Sequence, residues 1–124
     1  MRDYRELRVW QRAMDLVVLS YQLGAKLPRT EVYGLRSQLQ KAAISVPANI
    51  AEGNGRIHLG EYVRFLLVAN GSLMELGTHV SIAGRLGFLA PPEETEFLIR
   101  VAEVGKMLGR LIGSLRRLRQ AGGA

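Results

Sequence analysis

An all-α protein, folded as an antiparallel up-down-up-down four-helix bundle with the second helix kinked at Pro47, follows from the pattern of this sequence. Apolar residues recur at steps of three and four through four long segments, and short turns rich in glycine or proline separate them. Helices joined by short turns pack antiparallel. No alternation of period two competes. At 124 residues, 48% hydrophobic and 23% charged, the chain suits one domain over 1–124. Such a chain buries roughly two-thirds of its unfolded surface. The expected helices cover about 7–25, 31–52, 59–86 and 92–119, with a flexible tail over 120–124.

In the first helix Arg8, Gln11, Arg12, Asp15 and Gln22 share one narrow sector of the wheel. Apolar or small residues fill an arc of roughly 220°, where a helix serving one core needs roughly 100–140°. The surplus sets Val9, Ala13 and Leu16 opposite Trp10, Met14, Val17 and Tyr21, and Val9, Ala13 and Leu16 are assigned to a contact with another subunit. Gly24 and Pro28 stop the helix. Thr30 reads as the next N-cap, with Glu31 in the favourable first turn.

The second stripe (Val32, Leu35, Leu39, Ala42, Val46, Ile50) runs through Pro47. A proline there removes one hydrogen bond and crowds the Ala43 carbonyl, so a kink is expected rather than an end. Asn49 and Glu52 are expected to bond across it. Gly53 then ends the helix and Gly55 permits a tight reversal. Tyr62, Phe65, Leu66, Ala69, Leu73, Leu76, Val80 and Ala83 form the third stripe. Leu89-Ala-Pro-Pro connects it to the fourth helix, where Glu93 and Glu94 suit the positive end of the dipole. The fourth stripe is the most regular: Phe97, Val101, Val104, Leu108, Leu111, Leu115 and Leu118.

The fourth helix also carries Gly105, Gly109 and Gly113 at four-residue spacing, extended by Ala102. Each glycine costs a helix about 1 kcal/mol relative to alanine. The strip lies roughly 120° from the core stripe, and small residues every four let two helices approach closely. Lys106, Arg110, Arg116 and Arg117 interrupt the segment and exclude a membrane span. Ala102, Gly105, Gly109 and Gly113 are therefore assigned to a homo-oligomer interface, with closed symmetry expected.

Leu27-Pro-Arg-Thr-Glu-Val-Tyr-Gly-Leu, Gln38-Leu39 and Ala42-Ala43 lead into Ser45-Val-Pro-Ala-Asn-Ile-Ala-Glu-Gly53 and Gly55-Arg56, and Gly71-Ser-Leu-Met-Glu-Leu76 follows. This pattern resembles the four-helix-bundle family of proteins encoded in intervening sequences of large-subunit ribosomal RNA genes. That family includes the accessory variability determinants of diversity-generating retroelements. The resemblance spans Tyr4 to about Leu118. It implies a ring-like homopentamer with a basic surface, binding of RNA or DNA, and a reverse transcriptase as a partner. His58 departs from the pattern, standing where the family usually has a serine able to cap the third helix.

Charge gives independent functional evidence. The net charge is +6, and between residues 100 and 119 Arg100, Lys106, Arg110, Arg116, Arg117 and Arg119 face only Glu103. Up-down topology gathers Arg2, Arg5, Arg8, Arg56, Arg116, Arg117 and Arg119 at one pole, and Arg110 extends the set. Multiplied in a ring, that pole attracts polyanions. The same cations also complement a helix C-terminus without any ligand, which leaves a second reading open: a structural protein–protein interaction module with no nucleic-acid role. Aromatics at 6% and the absence of a recognition motif argue against sequence-specific readout.

Catalytic readings find no support in the residues. His58 and His79 are the only histidines, no Glu-x-x-His pair occurs, and cysteine is absent, so neither metal nor cofactor is expected. Gly53-Asn-Gly55 follows a helix and precedes no phosphate-loop lysine. Pro47, Asn49, Glu52, Gly53 and Gly55 are read as a structural turn motif. The charged N-terminus is unlike a signal peptide, and no apolar run approaches the ~18 residues of a membrane span, so a cytoplasmic, membrane-free protein is expected.

Overall fold

The computed structural model describes residues 3–122. Four helices carry the fold: α1 (Arg8–Gly24), α2 (Leu35–Asn54), α3 (Leu59–Arg85) and α4 (Pro91–Gly122). Single 3₁₀ turns, Tyr4–Glu6 and Arg29–Glu31, precede α1 and α2. Among the described residues there is no strand. The helices touch in the order α1/α2, α2/α3, α3/α4 and α4/α1, while the two diagonals make no backbone approach within 8 Å. This is a four-helix bundle.

One contiguous core fills it. Leu39 and Ile50 from α2, Leu66, Leu73 and Leu76 from α3, and Phe97 and Leu108 from α4 are all fully enclosed. From α1 the core takes Val9, Ala13 and Leu16, at 5%, 0% and 2% exposure. Those three residues belong to the protomer interior and not to a subunit contact, which corrects the assignment made from the wheel. The arc left outside is the other one: Met14, Val18 and Tyr21 are exposed, with Trp10 and Val17 half-buried. In α4 the stripe continues through Ile112 and Leu115, while Leu111 is half-buried and Leu118 exposed. A helix of 3.6 residues per turn drifts away from a strict heptad, so the core side passes from Leu111 to Ile112.

Helix ends depart from expectation for local reasons. Gly34, at φ −108° and ψ −113°, breaks the chain between the 3₁₀ turn and α2, so the helix opens at Leu35. Thr30 is not its cap; the Glu31 carboxylate accepts from the Leu35 amide at 3.2 Å. At the far end α2 continues through Gly53 to Asn54. Gly53 is there for close packing: a Cβ would lie 2.9 Å from Phe65 Cβ and 3.1 Å from the Tyr62 carbonyl of α3. Gly55 has ordinary right-handed backbone angles, and a Cβ on it would meet nothing nearer than 3.6 Å. The glycine that a turn does require is Gly87, at φ +77°. There Phe88 N donates to Ala83 O at 2.9 Å, closing a Schellman-type end to α3. At the opposite end of α3, His58 occupies the cap position and makes no side-chain capping bond. The expected tail is helical as far as Gly122.

The centre of α2 holds a polar seam. Pro47 lies inside the helix. Asn49 donates to the Ser45 carbonyl at 2.8 Å and to its hydroxyl at 3.0 Å, and Ser45 Oγ meets Ser72 Oγ of α3 at 2.7 Å. Glu52 takes no part; it pairs with Arg56 on the surface. Asn49 thus reaches across Pro47 to Ser45 and, through Ser45 and Ser72, ties α2 to α3; of the two residues expected to bond across the proline, Asn49 does so and Glu52 turns to Arg56 instead. Nearby, buried Asn54 donates to Tyr62 OH at 3.1 Å. The start of α4 is fastened differently. Glu93 accepts from Ala90 N at 3.1 Å, half of a capping box, and pairs with Lys26 from the α1–α2 connection. The Lys26 hydrogen bond first, then the Ala90 amide, hold the Glu93 carboxyl below its ordinary value.

Candidate nucleic-acid interface

Two turns of α1 and four of α4 build a basic groove. Contacts along the α1/α4 seam run in opposite order, so Lys26 meets Glu93 at one end while Arg8 and Arg12 lie beside Lys106 and Arg110 towards the other. Arg8 and Arg12 are one turn apart on α1, as are Lys106 and Arg110 on α4, so each pair projects to the same side. With Glu96, Arg100, Glu103 and Met107 they line a groove of about 460 Å³. Arg100 donates to Glu96 at 3.2 Å, which leaves Glu103 as the carboxylate facing Arg8, Arg12, Lys106 and Arg110. The stems of these long side chains cover the seam while their charged ends stay in water.

The basic end has a second hollow. Ile57, His58, Leu59, Gly60, Glu61, Arg64 and Arg119 surround about 560 Å³ at the start of α3. The Arg119 guanidinium lies against Gly60, where an added Cβ would sit 3.0 Å from it and the end of the arginine side chain would shift slightly to make room.

The structure divides the predicted cations into groups. Arg8 and Arg110 enter the longitudinal groove, Arg119 enters the end hollow, and Arg116 and Arg117 are exposed on the last turns of α4. Arg117 also approaches Ser114 Oγ at 3.4 Å. Arg56 is committed locally: it pairs with Glu52, reaches Glu61 at 4.0 Å and covers the Phe65 ring at 4.7 Å. Two carboxylates offset its charge, so it is a brace for the α2–α3 turn rather than a free cation. Arg5 is similarly held by Asp3 at 3.2 Å and lies over Tyr4. Arg2 lies outside the described residues. Arg12, Arg100 and Lys106 were missing from the predicted site. The i,i+4 pairs Arg8/Arg12 and Lys106/Arg110 were the available signal, but it gains meaning only once α1 and α4 are placed side by side.

The glycine strip follows its own geometry. A Cβ on Gly109 would meet nothing within 4 Å, one on Gly105 would make an ordinary 3.6 Å contact with Leu73, and one on Gly113 would approach only Arg117. Ala102 is exposed. The protomer's own packing gives no reason for glycine at 109. Among the described residues no group of three or more His, Cys, Asp or Glu is placed to hold a metal ion. No helix among them is long and apolar enough to cross a membrane.

Fold and surface together define a basic helical bundle with no metal-ligating cluster among its described residues. Residues 5–110 match the family described as 23S rRNA-intervening sequence protein, and the chain belongs to that family. The resemblance read from Ser45–Arg56 and its flanks is thereby borne out. Among solved structures, the chain is similar to a protein of unknown function from the S23 ribosomal protein family of Bacteroides thetaiotaomicron VPI-5482. The two share 17% identity over 84% of this chain and 97% of that one, with a TM-score of 0.79, a likeness of fold. No curated protein matches the chain.

Proposed function

We propose that this protein is a non-enzymatic, ring-forming homo-oligomer that binds RNA or DNA through phosphates and scaffolds a nucleic-acid-processing partner such as a reverse transcriptase. The observation that carries the reading is the α1/α4 groove, where Arg8, Arg12, Lys106 and Arg110 lie together with Glu103 while Arg100 pairs with Glu96. Guanidinium and ammonium groups on both sides of the seam suit phosphate contacts, which position a nucleic acid without reading its bases. Arg116, Arg117 and Arg119 extend positive charge to the adjoining end. Binding of this kind is tolerant of sequence and falls steeply with salt.

Titration of fluorescently labelled single- and double-stranded RNA and DNA at several salt concentrations tests it. Affinity should fall linearly on a log–log plot, and Arg12→Ala combined with Arg110→Ala should flatten the slope by about 2, one per lost phosphate contact. Reversal of Arg116, Arg117 and Arg119 should weaken binding further and leave assembly intact. Absence of binding at low salt would favour the structural protein–protein module instead.

A further inference from the structure

We infer that the hollow between the start of α3 and the end of α4 is a binding site for a phosphate monoester, separate from the phosphodiester contacts of the α1/α4 groove. Two arginines on different helices carry it. Arg64 lines the hollow from the second turn of α3, and Arg119 from the last turn of α4. Arg64 is exposed, with its guanidinium 5.2 Å from the Phe65 ring, while the Arg119 guanidinium lies against Gly60. Each guanidinium presents a planar fork of N–H donors that matches the oxygens of a phosphate bidentately. On α4, Arg110 and Arg119 are nine residues apart, so they project to opposite sides of the helix. The hollow and the groove therefore take their ligands independently.

The first turn of α3 adds donors to the same hollow. His58 stands at the cap position with extended backbone angles, φ −91° and ψ 132°, and its side chain caps no amide. Its carbonyl accepts from Glu61 N and Tyr62 N, both at 3.1 Å, so the Leu59 and Gly60 amides are the ones without an intrahelical acceptor. Leu59 and Gly60 both line the hollow. The 27 residues of α3 put the positive end of a long helix dipole behind them. Glu61 is the carboxylate in the wall, and Arg56 of the α2–α3 turn stands 4.0 Å from it. The charge of two arginines outweighs this partly offset carboxylate.

The donor set selects among anions. A carboxylate offers two oxygens and a single charge, which one guanidinium satisfies. A phosphate monoester offers three terminal oxygens and close to two charges at neutral pH, and so engages both guanidinium groups and the amides together. At about 560 Å³ the hollow falls within the range of small-molecule sites, roughly 300–1,000 Å³, and is larger than a phosphate alone needs. Exposed Ile57 and half-buried Leu59 give the remaining space an apolar wall against which a sugar or base can lie. The ligand is a phosphate monoester with an organic body behind it. A free mononucleotide and the phosphorylated end of a nucleic acid both present that chemistry.

Calorimetric titration of the full chain with two matched pairs of probes tests the site: adenosine monophosphate against adenosine, and a short oligonucleotide with against without a terminal phosphate. The phosphorylated member should bind about tenfold or more tightly than its partner, the worth of a charge-assisted hydrogen bond. A preference in the first pair assigns the site to free nucleotides, and a preference in the second pair alone assigns it to nucleic-acid ends. Arg64→Ala should remove the preference, and Glu61→Gln should increase it, with thermal melts to verify folding. His58→Ser supplies a capping hydroxyl to the first-turn amides, so it should raise the melting temperature and lower the preference. Arg12→Ala with Arg110→Ala should weaken both oligonucleotides and leave the preference intact. Equal affinity within both pairs would overturn the site, even where both oligonucleotides bind and the groove reading stands. A preference that survives Arg64→Ala would overturn its placement in this hollow.

Discussion

Alanine at Gly53 tests whether the family motif is a packing device. The new Cβ would lie 2.9 Å from Phe65 Cβ and 3.1 Å from both Tyr62 Cδ1 and the Tyr62 carbonyl. A Cβ and a backbone oxygen on a helix cannot swing aside as a side-chain tip does, so α2 and α3 must part. Overpacking of this kind costs about 1–3 kcal/mol, and alanine recovers up to about 1 kcal/mol of helix propensity. A net loss of about 1–2 kcal/mol is expected, a fall in melting temperature of roughly 3–8 °C for a domain of this size. Gly55→Ala is the internal control. Its Cβ would meet only carbonyl oxygens at 3.6 and 3.8 Å, and its backbone is right-handed, so it should stay within about 0.5 kcal/mol of wild type. Urea unfolding at one protomer concentration reads both, through midpoints at unchanged m-value. Equal midpoints for Gly53→Ala and wild type would refute the close-packing account.

The buried Asn54–Tyr62 pair makes a second prediction: Tyr62→Phe strands the Asn54 amide and should cost about 1–2 kcal/mol in the same assay. Glu93 gives a pH dependence with a definite sign. Its folded value is depressed, so its contribution is complete above the ordinary carboxylate range and disappears as pH falls through the lower folded value. Glu93→Gln should therefore be less stable than wild type at neutral pH and converge with it in acid, as thermal melts across pH would show.

Four helices and most of the core were legible because their apolar stripes are long and their turns carry glycine or proline. The choice of inward face on α1 was not. Both Val9/Ala13/Leu16 and Trp10/Met14/Val17/Tyr21 are apolar arcs, and only the positions of α2 and α4 decide between them. Gly53 looked like a stop signal because glycine often is one; its use as a contact point depends on Phe65 and Tyr62 arriving from α3. Gly87, the left-handed residue that does end a helix, stood unnoticed beside Leu89-Ala-Pro-Pro. The cationic site was half legible. Charge count located the basic end, whereas the groove needs Arg8 and Arg12 brought against Lys106 and Arg110 across the seam between the first and last helices.

The most direct measurement is the mass of the full chain in solution, by light scattering on a size-exclusion column at micromolar protomer. The account predicts one species at twice 13.7 kDa or a higher whole-number multiple of it. A lone 13.7 kDa particle across the concentration range would contradict it.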